Sequence, residues 1–365
     1  MTEASPAWRK TLVRSPFVPD CYGAIVTDPH SVLGVAWDFD ERRAKVRALG
    51  EATERWDLRH PTPPHVVAAE AELTHPHLDL SRAATVPSRL LDLPVNRRFR
   101  WTPETVMSWH ESETIDGERL LVPSDLLWLR ASTADRTMLR PTSSIGTAAG
   151  PDRESALENA LLEVHERHIV AEATRLGVRA ATVTVDDPGL RDHVDQLEIS
   201  GFSVTVGRLH SAPYVYIVCL RARGADAPAA AFGTGAGRTD ASATRAALME
   251  AIQVMHLGAQ LLRIRPRVLR DAGKRRAMAW ADGRGDPTAY FGGAGFARAV
   301  PLPGTLRAFA LDEHESTVVV RAIAVEAHYL RAHRDCPIMV APRPETGQRD
   351  LDDPELERCG KHPYV

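Results

Sequence analysis

Short apolar runs at residues 21–26 and 32–37, separated by Asp28, Pro29 and His30, predict two strands joined by a turn. The period then lengthens. Ala44, Ala48, Leu49 and Ala52 recur at helical spacing, so residues 41–56 are expected to form a helix with Asp40 as N-cap and the prolines of 61–64 beyond its end. Residues 66–140 show no sustained period, are rich in Pro and Trp, and read as mixed strand and loop. A small-residue loop over 143–150 leads through Pro151 and Asp152 into the clearest helix, 153–176, which Gly177 ends.

Further along, a strand at 181–185, a helix at 190–198 and a strand at 202–206 suggest a β-α-β passage. Runs at 214–221 and 229–232 read as paired strands around Gly224. The Gly233-Thr234-Gly235-Ala236-Gly237 stretch reads as a loop opening a second long helix over 240–262, and 317–325 as a late strand. These elements predict an α+β domain, mixed sheets flanked by long helices.

The chain has 365 residues, 44% of them hydrophobic and 25% charged, which is an ordinary globular composition with enough apolar surface for a sizeable core. A single domain over 1–365 is expected: a first motif region at 21–60, a variable and potentially substrate-binding insertion at 66–140, a core at 143–340, and an extended tail at 341–365. The net charge of −3 gives no global reason to expect nucleic acid. The locally basic stretch 263–284, with eight Lys or Arg against two Asp, reads as a solvated face. Cys21, Cys219, Cys336 and Cys359 show no metal-binding spacing and read as reduced thiols. With no signal-like start and no long apolar run, a cytoplasmic protein without a membrane span is expected.

Two helices carry the same motif, Glu-x-x-Glu-Arg: Glu51, Glu54 and Arg55 in the first, Glu163, Glu166 and Arg167 in the second. Carboxylates three residues apart share a helix face. With Leu157, Ala160, Leu161 and Val164 as the buried stripe of the second helix, its glutamates are expected on an accessible shoulder. Like charges at this spacing cost a helix about 0.2–0.5 kcal/mol, and a cation offsets that cost. Magnesium, held by one or two carboxylates together with phosphate oxygens, fits such a pair, and the following Arg could contact a phosphate. A third helix adds Glu250 and Gln253 at the same spacing.

Other nucleotide and metal motifs fit less well. No phosphate loop occurs, since Gly273-Lys274 is followed by Arg275 and Val268 stands where the upstream Gly is required. Gly233, Gly235 and Gly237 lack the third glycine of a dinucleotide fingerprint, where Arg238 stands. His165-Glu166-Arg167-His168 is one residue short of a zinc-protease helix, and Ser143 and Ser144 lack a hydrolase context.

Three stretches, 44–56, 143–168 and 232–253, resemble the YcaO family, with weaker similarity over 318–342. The resemblance implies an ATP- and Mg2+-dependent enzyme that phosphorylates a backbone amide oxygen of a ribosomally made precursor peptide. The product would be an azoline, a macrocyclic amidine or, with a sulfur-delivery partner, a thioamide. It also implies Glu51, Glu54, Glu163 and Glu166 as Mg2+ ligands, and Arg55, Arg167, Glu250 and Gln253 as ATP-binding residues. Other expected partners are a leader-binding protein and a second copy of the chain. The sequence departs from the family pattern at Arg47, where Ser is usual, at Pro151, where Asn is usual, and at Trp37-Asp38-Phe39 in place of a Lys-containing glycine turn. Its ending, His362-Pro363-Tyr364-Val365, is not the Pro-x-Pro-x-Pro tail of azoline formers. A non-catalytic scaffold that presents a precursor is the alternative reading.

Overall fold

The computed structural model describes residues 8–340 apart from 82, 84, 87, 93, 130–136, 226, 267–271, 285, 297–299, 301–305, 315–316, 325–328 and 332–337. The tail expected over 341–365 and the thiols of Cys336 and Cys359 lie outside the described residues. In chain order come β1 (Arg9–Arg14), β2 (Tyr22–Thr27), β3 (Val32–Asp38), α1 (Glu41–Arg59), β4 (Val66–Ala69), α2 (Ser88–Leu91), β5 (Val106–Glu113), β6 (Arg119–Pro123) and α3 (Ser124–Leu127). The second half contains β7 (Thr147–Gly150), α4 (Arg153–Leu176), β8 (Ala181–Thr182), α5 (Pro188–Ile199), β9 (Phe202–Ser211), β10 (Tyr214–Ala222), β11 (Ala230–Gly237), α6 (Asp240–Ile264) and α7 (Ala272–Ala281). It closes with β12 (Leu306–His314), β13 (Thr317–Ala324), β14 (Tyr329–Arg331) and β15 (Ile338–Val340).

Local chemistry starts and stops the helices as the sequence suggested. Asp40 accepts from Arg43 N at 2.8 Å and Asp152 from Ser155 N at 2.8 Å, satisfying first-turn N–H groups of α1 and α4, and Gly177 closes α4. Against each long helix lies a sheet: β1-β2-β3 under α1, β12-β13-β7 under α4, and β11-β10-β9-β8 under α6. All the named strand pairs are antiparallel, so the expected β-α-β passage is instead β8 and β9 as antiparallel neighbours with α5 packed on β9.

The three layers close on one another in a ring. Helix α1 also packs on β7 of the second sheet, α4 on β11 of the third, and α6 on β3 of the first. Alanines make the close approach possible: Ala44, Ala48 and Ala52 on α1, and Ala243, Ala247 and Ala251 on α6, are each 0% exposed. Trp37 of β3 stacks flat on His256 of α6, with ring centroids 3.4 Å apart, and seals the joint between the first and third layers.

One expectation needs correction. The glycine stretch 233–237 is not a loop but part of strand β11. A Cβ at Gly233 would lie 2.2 Å from Ala247 O and 2.2 Å from Ala251 N, so glycine is required because the backbone of α6 passes directly over the strand. Gly34 of β3 is in the same position under α1, where a Cβ would lie 2.0 Å from Ala48 O and 2.8 Å from Ala52 N. The basic stretch 263–284 includes α7, whose Trp280 packs edge-on against Phe232 with centroids 4.9 Å apart.

Residues 66–140 contain a sheet, β4-β5-β6, built on Trp109, Leu121, Val122, Leu126 and Leu127. That cluster also takes in Phe309 of β12 and Ile323 of β13, so the lobe shares a core with the α4 layer. No helix among the described residues is long and apolar enough to cross a membrane.

Candidate active site

The inner strand of each layer is an edge strand: β3, β7 and β11 each end their sheet. Edge strands carry backbone N–H groups that no neighbouring strand pairs, and buried donors require acceptors. Helix carboxylates supply them. Glu51 accepts from Val35 N at 2.7 Å, Glu250 from Thr234 N at 2.7 Å, and Glu163 from Gly146 N at 3.0 Å. The first two pairs are separated by the same 16 residues and the third, whose donor Gly146 immediately precedes β7, by 17, so nearly the same spacing recurs in all three layers.

The second polar residue of each motif reaches the next layer instead of its own. Glu54 of α1 accepts from Ala149 N of β7 at 2.8 Å, and Glu166 of α4 accepts from Thr234 Oγ1 of β11 at 2.6 Å. Gln253 of α6 lines a pocket of about 280 Å3 with Val35, Glu51, Thr234 and Glu250, at the third joint of the ring. The ring therefore sets Glu54 beside Glu163, Glu166 beside Glu250, and Gln253 beside Glu51. In each seat the protein ties carboxylate oxygens to strand donors and leaves acceptor capacity turned inward.

These glutamates are not on an accessible shoulder, as the helix pattern alone suggested. Glu166 is buried and Glu51, Glu54 and Glu163 are half-buried, because the polar side of each helix faces the next layer rather than solvent. On α4, Ala156, Ala160 and Val164 are buried, while Leu157 and Leu161 are only partly so.

Burial, reinforced by the neighbouring Glu163 and Glu51 charges, pushes Glu54 up to about 8 despite the Ala149 N–H. Burial, with Glu166 nearby, pushes Glu163 up to about 7 against the pull of Arg167. Glu166 and Glu51 are raised as well, each chiefly by burial. A divalent cation relieves this crowding, and half-buried oxygen ligands suit Mg2+. Among the described residues, no three His, Cys, Asp or Glu side chains converge tightly enough to hold a metal by themselves. The donor set thus fits a cation held by carboxylate pairs and completed by phosphate oxygens. It gives no support to the zinc alternative at His165 and His168.

The arginines divide. Arg167 is central: its guanidinium lies 3.9 Å from Glu163, 3.4 Å from Glu166 and 3.5 Å from Glu250. Arg55 instead ties its own layer together, pairing with Glu51 at 2.5 Å and donating to Leu33 O at 2.9 Å. Where Arg47 replaces the usual Ser, its guanidinium donates to Trp37 O at 3.1 Å and lies 3.7 Å from Asp38. Asp38 also pairs with Arg245 at 2.7 Å. With Arg42 and Arg43, these two arginines line an open cavity of about 850 Å3, and Arg47 borders both it and the Gln253 pocket. An acidic interior with a basic mouth is the charge arrangement that accepts a polyanion carrying a metal.

Three groups were not identified from the sequence. Thr234 donates its backbone N–H to Glu250 and its single hydroxyl proton to Glu166, and the glycines around it disguised it as a loop residue. Gly146 contributes its N–H. Arg321, 3% exposed, donates to Leu126 O, Ile145 O, Thr147 Oγ1 and Ser143 O, holding the loop that presents Gly146 to Glu163. Its signal was an Arg in the middle of an apolar strand. Cys21 and Cys219 are buried free thiols, each pushed up to about 12 chiefly by burial, and are not nucleophiles.

A family model described as YcaO cyclodehydratase, ATP- and Mg2+-binding, matches residues 38–312. No curated protein matches the sequence significantly. Among solved structures, the chain is similar to a heterocyclase in complex with substrate and cofactor, at TM-score 0.67 and 14% identity over 87% of this chain and 50% of that one. It thus spans half the length of that protein. It is also similar to YcaO from Methanopyrus kandleri bound with AMPPCP and Mg2+, at TM-score 0.58 and 18% identity over 87% of this chain and 85% of that one. The E. coli microcin synthetase McbBCD complex with pro-MccB17 bound gives TM-score 0.63 and 11% identity over 90% of each chain. At these identities the likenesses establish the fold, while the family match establishes the kinship and, with it, ATP and Mg2+ as cofactors. By that match over residues 38–312, the chain belongs to the YcaO family.

Proposed function

We propose that this chain activates a peptide backbone amide at the expense of ATP, with Glu54 and Glu163 as the principal Mg2+ seat. The observation that carries the reading is the ring of carboxylates, tied to edge-strand donors and paired across layers with raised proton affinities. In the Glu54–Glu163 seat burial raises both carboxyls, to about 8 and about 7, and Arg55 is engaged elsewhere, with Glu51 and Leu33 O. The Glu166–Glu250 seat is spanned by Arg167, and this central guanidinium supports a role for Arg167 at phosphate oxygens.

ATP supplies the phosphoryl group that converts an amide oxygen from a poor leaving group into a good one, and Mg2+ neutralises the charge carried through that transfer. The chain's share is positioning. Strand N–H groups fix the carboxylates, Arg167 holds developing charge, and Arg47 and Arg245 make the mouth basic. A nucleophile on or near the peptide then attacks the activated carbon and phosphate departs with the former amide oxygen. A Cys, Ser or Thr side chain gives an azoline, the peptide's own amine a macrocyclic amidine, and sulfide from a delivery partner a thioamide.

The test follows the oxygen. With a precursor peptide labelled with 18O at the reacting amide, ATP turnover should place the label in the released inorganic phosphate. Product formation with unlabelled phosphate would reject O-phosphorylation. A presenting role without catalysis is favoured by one observation, that Arg167 already balances part of the site's charge. Peptide binding with no binding of Mg2+ and nucleotide would select that reading.

A further inference from the structure

The first sheet has two edges with opposite fates. Strand β3 turns its edge toward the carboxylate ring, whereas β1 ends the sheet on the far side, and no strand pairs with its outer edge among the described residues. Five of the six β1 residues are exposed, and its sequence, Arg-Lys-Thr-Leu-Val-Arg, carries three cationic side chains and no anionic one. Register places Leu12 opposite Ala24 and Lys10 opposite Val26, on the face that α1 covers over β2. The helix stops short of β1, and an open groove of about 450 Å3 remains between them.

The groove has an apolar floor of Leu12, Ala24, Val26 and Leu49, with Lys10 on one rim and Lys45 on the other. Leu12 is 38% exposed, and Val46 beside it is 62% exposed. Lys45 is paired with Glu41, while among the described residues no anionic side chain pairs with Lys10 or Arg9. An unpaired strand edge next to an apolar groove with cationic rims provides for strand addition: main-chain hydrogen bonds run along the edge, and every second side chain faces the groove, apolar ones meeting the floor and acidic ones, on that same face, the rims.

We propose that β1 and this groove dock an extended, acidic segment of the peptide substrate as a fourth strand of the first sheet, remote from the residue being modified. The identity of the occupant rests on the peptide-modifying reading above. A second copy of the chain fits poorly, because pairing β1 with itself opposes cationic strands.

The test uses the full chain, without nucleotide or metal, and fluorescein-labelled peptides read by anisotropy. A peptide whose alternate, groove-facing residues are Leu at the centre and Glu at both ends, with Thr at the positions between, should bind about tenfold or more tightly than its counterpart with Lys in place of Glu, and than the same acidic peptide interrupted by Pro. Leu12→Asp and Lys10→Glu should each weaken that binding by about tenfold, with melting temperature and affinity for Mg2+ and AMPPCP unchanged. Equal binding of the basic or Pro-interrupted peptide would overturn the proposal, as would undiminished binding in both variants. A dimer in sedimentation that Leu12→Asp dissolves would also overturn it, in favour of self-association. Loss of nucleotide binding alone would count against the ATP reading and leave the docking result standing.

Discussion

Glu54→Gln isolates the electrostatic cost of crowding carboxylates in the ring when metal is withheld. The amide keeps an acceptor for Ala149 N and removes the charge. In the unfolded chain this carboxyl ionises near 4.5, and in the fold near 8, so the folded protein holds the extra proton between those values. Stability from this group is fully present below pH 4.5 and is lost as pH rises to about 8. The interval corresponds to roughly 4–5 kcal/mol between protonation states, and relaxation with water entry reduces the realised penalty to about 2 kcal/mol. Without metal, Glu54→Gln should therefore melt about 2–4 °C above wild type at pH 8.5 and level with it near pH 4.5. The assay is thermal melting in EDTA across that pH range. Adding Mg2+ and AMPPCP should reverse the order, since wild type gains about 2.7 kcal/mol at a hundredfold excess over its dissociation constant and the variant loses a ligand. A variant less stable than wild type at pH 8.5 in EDTA, or a difference that does not change with pH, would refute the crowded-carboxylate reasoning.

Further outcomes follow from the same geometry. Gly233→Ala drives a Cβ to 2.2 Å from α6 backbone atoms and should cost about 1–3 kcal/mol in a melting experiment; an unchanged melting temperature would refute the close approach. Arg321→Met strips the donor from the buried Leu126 carbonyl and from the part-buried Ile145 and Ser143 carbonyls, and should cost about 3 kcal/mol or more while weakening Mg2+–nucleotide affinity through the Gly146 loop; full stability would show that the loop needs no such clamp. Thr234→Val removes the hydroxyl that favours ionised Glu166, so Mg2+–AMPPCP binding should require a higher pH than in wild type, and an unshifted profile would remove Thr234 from the site.

Local signals were legible in the sequence where they depend on local physics. Asp40, Asp152 and Gly177 bound their helices because capping satisfies nearby backbone groups, and the repeated Glu-x-x-Glu-Arg marked two of the helices that line the candidate site. What local patterns could not convey is which layer each side chain meets. Glu54 bonds Ala149, 95 residues away, and Glu166 bonds Thr234, 68 residues away, so burial of the polar helix face arises only from the closed ring. Gly233 and Gly235 read as a loop because glycine usually marks one, whereas here α6 backbone excludes any Cβ. The lobe at 66–140 hid its strands because β5 and β6 are largely covered, and a covered strand shows apolar runs rather than alternation.

Isothermal titration of AMPPCP into the full chain, with Mg2+ and then with EDTA, for wild type and Glu163→Gln, tests the paired-carboxylate seat most directly. Micromolar binding that requires Mg2+ and is lost in Glu163→Gln is expected. Equal nucleotide affinity in EDTA, or in the variant, would contradict a cation held between Glu54 and Glu163 against the phosphates.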